Sequence, residues 1–160
     1  MLIWSNWPPE FTLPTTPHFS QDFPSLRPQD CEDDVSLATK AYNCHAWAAF
    51  DTNRRWEPDP LGIWYWPDGV PRQYTLQAFI AAYRTVGYEQ CLNGTNEDGI
   101  EKIAIYTIGG IPTHTARQLA TGNWTSKLGD FEDIQHNSLN CLGGPLYGAA
   151  QTFMKRLRRK

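Results

Sequence analysis

Apolar residues recur along this chain at two different spacings, and the spacing changes from segment to segment. Leu76, Phe79, Ile80 and Tyr83 fall at i, i+3, i+4 and i+7, which predicts an amphipathic helix capped by Thr75 and stopped by Gly87. Lys102-Ile103-Ala104-Ile105-Tyr106-Thr107 has the β-branched content and the length of a strand, ended by Gly109-Gly110-Ile111-Pro112. Thr113 to Leu119 and Trp124 to Leu128 read as two further strands, joined by Ala120-Thr121-Gly122-Asn123 in a tight hairpin. Three strands with short links predict an antiparallel meander. Leu146, Ala149, Ala150, Phe153, Met154 and Leu157 mark one face of a C-terminal helix packed on it.

Upstream, Leu37, Ala41, Cys44, Trp47 and Ala48 fall near one face, three and four residues on from Leu37, Ala41 and Cys44. Either one helix runs from an Asp34 cap to Phe50, or a break at Tyr42-Asn43 starts a new helix with Asn43 as N-cap and Cys44 in its first turn. In the second arrangement the thiol lies beside unpaired N–H groups, which lower its pKa. Residues 51–74 are rich in turn residues and large aromatics, among them Trp56, Trp64, Tyr65 and Trp66. Residues 1–30 hold six prolines and five Trp or Phe side chains, and read as an arm laid against a single domain of residues 31–160.

Composition narrows the function classes. The net charge of −3 gives no reason to coat nucleic acid or a membrane surface, and the basic end Lys155 to Lys160 suits the end of a helix. No apolar run approaches the ~20 residues of a membrane span, and no secretory leader is legible, so the expected place is the cytosol, or export without a cleavable signal. Cys31, Cys44, Cys91 and Cys141 are widely spaced and read as reduced thiols. None of them forms a C-x-x-C pair, so no metal site is signalled.

The chemistry that remains is nucleophilic. A thiol hydrolase needs a cysteine, a histidine within hydrogen-bond reach, and a third group that fixes the imidazole tautomer. Cys44 at a helix start and His114 on a downstream strand fit the first two roles. Alternation puts His114, Ala116 and Gln118 on one strand face. If Leu119 pairs with Trp124, Lys127 lands on that same face beside Ala116, and Thr125 beside Gln118. Asp133 is then the expected third member, with Ser126 as the alternative. Trp47, Trp66, Gln118 and Lys127 are expected to line the substrate site; His136 and His18, in loops, are reserves for the base. The alternative reading of Cys44 is a small buried core residue, and of the tryptophans, core packing.

Asn43-Cys44-His45-Ala46-Trp47, followed by a meander bearing His114, resembles the papain-like superfamily in its NlpC-type bacterial branch. Tyr42-Asn43-Cys44-x-Ala46-Trp47-Ala48, Trp66-Pro67-x-Gly69-Val70-Pro71-Arg72, Thr113-His114-x-Ala116-Arg117-Gln118-Leu119 and Trp124-Thr125-Ser126-Lys127-Leu128-Gly129 are also similar to a family of uncharacterised bacterial proteins, over residues 41–158. The resemblance implies an α+β fold with a papain-like core, in which the Cys44 helix packs on a small antiparallel meander. It also implies a thiol-dependent amidase, peptidase or deamidase with Cys44 as nucleophile and His114 as base, acting on a peptide or protein without a dissociable cofactor. At the third position, where NlpC-type enzymes place His, Asn or Gln, this chain has Ser126 and Lys127. The alternatives are a non-catalytic domain that binds a protein partner through its Trp-rich loops, and a toxin or defence component.

Overall fold

The computed structural model describes residues 23–27, 39–129 and 133–159, together with the backbone of 31–33. Among the described residues seven strands form one antiparallel sheet: β1 (Cys31–Asp33), β2 (Glu89–Cys91), β3 (Ile100–Ile108), β4 (Ile111–Gln118), β5 (Trp124–Lys127), β6 (Asp133–His136) and β7 (Ala149–Leu157). Their order across the sheet is β1-β6-β5-β4-β3-β7-β2. Two short helices, α1 (Cys44–Ala48) and α2 (Leu76–Arg84), pack on one face. Of the arm, only residues 23–27 are described; its other residues lie outside.

This architecture overturns the expected papain-like fold. Among the described residues the helical content is two short α-helices and a single 3-10 turn at Leu139–Leu142 beside a seven-stranded sheet, and the expected C-terminal helix is an interior strand. β7 pairs with β3 on one side and β2 on the other, so its backbone donors and acceptors are satisfied across the sheet. Met154 and Arg156 turn to the helix face, while Phe153 packs on the other. Apolar positions interrupted by Gln151, Thr152, Lys155 and Arg156 fit a helical and an extended period alike, and pairing decides between them.

The meander itself is as the sequence predicts, with β3, β4 and β5 joined by short links. The Thr75 side chain caps α2 by accepting from the Ala78 N–H, and Gly87 follows at φ 96°. Each sheet face carries its own core. Ile103, Ile105 and Met154 meet α1, α2, Trp56 and Trp66 on the helix face. Ala104, Tyr106, Ala116, Trp124 and Ile134 meet Phe23, Leu26, Leu142 and Tyr147 on the far face.

The basic end that suits a helix terminus serves the sheet instead. Arg156 sits opposite Glu101, which is fully buried; its Nε donates to Glu101 Oε1 and its Nη1 to the Val86 carbonyl at 2.6 Å. A lysine there keeps the charge but cannot serve both acceptors with a planar fork. Arg156→Lys is expected to lower unfolding free energy by about 2 kcal/mol, read by urea titration, through the lost charge-assisted bond.

Candidate functional site

The α1 helix begins where Asn43 makes it begin. Asn43 Oδ1 accepts from the Ala46 N–H at 3.1 Å and from the Trp56 N–H at 3.1 Å, while its Nδ2 donates to the Trp56 carbonyl and to Glu57. One side chain thus caps the helix and ties it to the following loop, which selects the broken arrangement over one long helix. Cys44 becomes the first helical residue, against β4. Burial pushes its thiol up to about 12, while the backbone N–H of Thr115 pulls the other way by favouring the thiolate; Glu57 adds to the rise, and the His45 N–H and Arg55 oppose it. The resting group is therefore a neutral thiol set against the amide that joins His114 to Thr115.

On the far face, β4, β5 and β6 bring three polar side chains into a buried line. His114 Nε2 lies 3.0 Å from Ser126 Oγ, and Ser126 Oγ lies 2.8 Å from His136 Nε2. His136 Nδ1 is 2.8 Å from the Ser138 carbonyl. None of the three is more than 1% exposed. The His114 ring is stacked at 4.1 Å on Tyr147, edge-on to Tyr106, and Phe23 packs on Tyr147 in turn. His114 Nδ1 is buried without a hydrogen-bond partner among the described residues. Burial holds His114 well below the usual histidine range, with His45 and His136 adding repulsion, and burial brings His136 to about 4 against the pull of the Ser138 carbonyl.

Residues 7–155 match the family described as Domain of unknown function (DUF7689). The chain belongs to this family. No curated protein and no solved structure matches it.

Within this DUF7689 domain the expected site residues separate by face. β4 and β5 are paired at Arg117↔Thr125 and Gln118↔Trp124, so Trp124 meets Gln118 rather than Leu119. That one-residue difference moves every β5 side chain to the other face. Ser126 joins His114, while Lys127 turns to the helix face, with Asp133 opposite it in register. Of the two candidates for third member, Ser126 is brought to His114 and Asp133 is not. Lys127 donates to the carbonyls of Thr39 and Gly129 and lies over the Tyr42 ring.

Trp47 is stacked on Tyr42 and donates to Thr125 Oγ1 at 3.1 Å, on the helix face. Trp66 is a core residue that donates to the Pro71 carbonyl, and Gln118 donates to the Gly94 carbonyl at 2.7 Å toward the end of β4. Both side chains are buried. His45 sits 3.0 Å from Thr115 Oγ1 and against the Phe79 ring, away from the far-face line. Alternation along β4 turns His114 to the far face while α1 brings Cys44 in on the helix face, with the peptide between His114 and Thr115 as their common ground. The β4–β5 pairing stops short of that peptide.

His136 is only a reserve in the sequence because a four-residue strand with no β-branched run beyond Ile134 reads as a loop. The signal was present in the alternation of Ile134 and His136, which puts both on the Ser126 face once β6 pairs with β5. Cys44, Cys91 and Cys141 are free thiols, and no group of three metal-ligating side chains occurs among the described residues. No described helix is long and apolar enough to cross a membrane.

Proposed function

We propose that this domain is a thiol-dependent acyl-transfer enzyme, a hydrolase of peptide or side-chain amides. Cys44 is the nucleophile, His114 the base and Ser126 the group that orients the base. The reading is carried by the two nitrogens of His114, one held by Ser126 and the other without a hydrogen-bond partner among the described residues, on a strand whose next N–H, that of Thr115, meets the thiol. A buried imidazole with a committed nitrogen and an uncommitted one is the arrangement a general base requires.

Because Cys44 and His114 lie on opposite faces of β4, the acylation step requires the 114–115 peptide to turn; the Cys44 proton then passes to His114 Nδ1 as the Sγ–C bond forms. The proton then goes to the leaving amine as the C–N bond breaks, and water releases the acyl group by the reverse route. The N–H groups of Thr115 and His45, which favour the thiolate, are the donors available to the oxyanion. Because the resting thiol is neutral, the thiolate forms only as His114 takes the proton. Entry of an acyl donor requires the Phe23–Tyr147 cover over His114, or the loop anchored by Asn43, to part.

A minimal acyl donor tests this directly. p-Nitrophenyl acetate is expected to place an acetyl group on Cys44 near neutral pH, located by peptide mass mapping, with half-buried Cys91 as internal control. His114→Ala should slow the Cys44 adduct on the order of a hundredfold and leave Cys91 unchanged. Acetylation confined to Cys91, or a Cys44 rate indifferent to His114→Ala, overturns the proposal.

A second reading, a protein-binding module, is favoured by the 59–74 loop. Asp59 accepts from the N–H groups of Ile63 and Trp64 and pairs with Arg72, so the loop is braced from within while Leu61, Ile63 and Trp64 stay exposed. Exposed aromatic and aliphatic side chains on a fixed loop are the usual anchors of an interface.

A further inference from the structure

We infer that His136 is a positioning residue that acts on His114 through the Ser126 hydroxyl, fixing which nitrogen of His114 carries the proton. The inference rests on the reading of His114 as a base, yet its physical content can be tested without any reaction.

The direction of every proton in the line follows from its far end. A carbonyl oxygen only accepts, so the 2.8 Å contact with the Ser138 carbonyl requires a proton on His136 Nδ1. A buried neutral imidazole carries one proton, which leaves His136 Nε2 as an acceptor. The Ser126 hydroxyl has a single hydrogen, and the 2.8 Å contact with that acceptor commits it. Ser126 Oγ can then only accept at its 3.0 Å contact with His114, so the His114 proton sits on Nε2. Nδ1 is left as a lone pair, in agreement with its having no hydrogen-bond partner among the described residues.

Without His136 the serine hydrogen is free to turn toward His114. The imidazole can then accept at Nε2 and carry its proton on Nδ1, which is the tautomer unable to receive a proton from a thiol there. Stacking on Tyr147 fixes the ring plane but not the proton, so the tautomer is decided by the hydrogen-bonded line alone. The burial of all three groups matters because no water competes for these contacts.

The test is a two-bond nitrogen–proton correlation spectrum of the full chain with labelled histidine. The expected pattern is a protonated, pyrrole-type Nε2 and a bare, pyridine-type Nδ1 for His114, with the reverse for His136. His136→Phe should shift His114 toward the Nδ1-protonated form and slow Cys44 acetylation on the order of a hundredfold through the wrong tautomer. His136→Gln, which keeps an acceptor for Ser126, should restore both.

A wild-type His114 protonated on Nδ1, or an unchanged tautomer in a folded His136→Phe, overturns the inference. If His136→Phe does not fold, the wild-type spectrum and His136→Gln still decide it. A wild-type spectrum as expected without any Cys44 adduct leaves the proton relay standing and removes the hydrolase reading.

Discussion

Replacing Gly148 by alanine is expected to destabilise the protein by roughly 3–5 kcal/mol, combining a left-handed backbone with overpacking. Gly148 has φ +75°, and a Cβ there would lie 2.1 Å from the Thr107 carbonyl oxygen and 2.9 Å from its carbon. The obstacle is backbone of β3, which cannot turn aside as a side chain can. The same residue closes the 144–148 loop through reciprocal bonds with Gly144, and that loop carries Tyr147 onto the His114 ring. The substitution should therefore lower the thermal midpoint by roughly 10 °C and disturb the His114 environment as well. Gly62→Ala is the matched control: its φ is +70° but nothing lies within 4 Å of the new methyl, so only the backbone cost of about 1 kcal/mol is expected. Equal losses at the two positions would show that the β3 contact does not matter.

Acid should unfold this domain over an unusually high pH range. His45 and His136 fall from 6.5 to about 4 in the folded state, chiefly through burial, and His114 falls further. A base whose folded pKa is lowered is protonated first in the unfolded chain. Stability is therefore intact above 6.5 and is lost as pH falls from 6.5 toward 4. Each of His45 and His136 contributes a loss on the order of 3 kcal/mol across that window, with His114 contributing in the same direction. Urea midpoints should be flat above neutrality and fall steeply below it, with a slope reporting several protons taken up on unfolding. His136→Gln should reduce that slope by about one proton. A midpoint that holds steady down to pH 4 would contradict the buried neutral imidazoles.

Cys44 shows how far local reasoning reaches. Its place at a helix start is legible because Asn43 is a good cap wherever it stands, and the structure adds the bonds to Trp56 and Glu57 that remove the competing longer helix. Its state was not legible. A first-turn position argues for a lowered pKa, yet burial under the helix-face core outweighs the neighbouring N–H groups and raises it. Burial depends on what folds over a residue, which no local pattern records.

The order of β3, β4 and β5, the cap of α2 and the division of Thr115 from His114 across β4 follow from period, turn residues and alternation, all properties of neighbours in the chain. The fate of residues 149–157 was decided by β3 and β2, which offered a row of backbone partners on each side that a helix would have left unmatched. The partner of His114 was likewise set by register. Gln118 rather than Leu119 meets Trp124, and that step of one residue puts a serine, not a lysine, in contact with the imidazole and draws His136 in behind it. A strand carries its alternation in its own residues, but which face of the next strand it meets exists only once the two are paired.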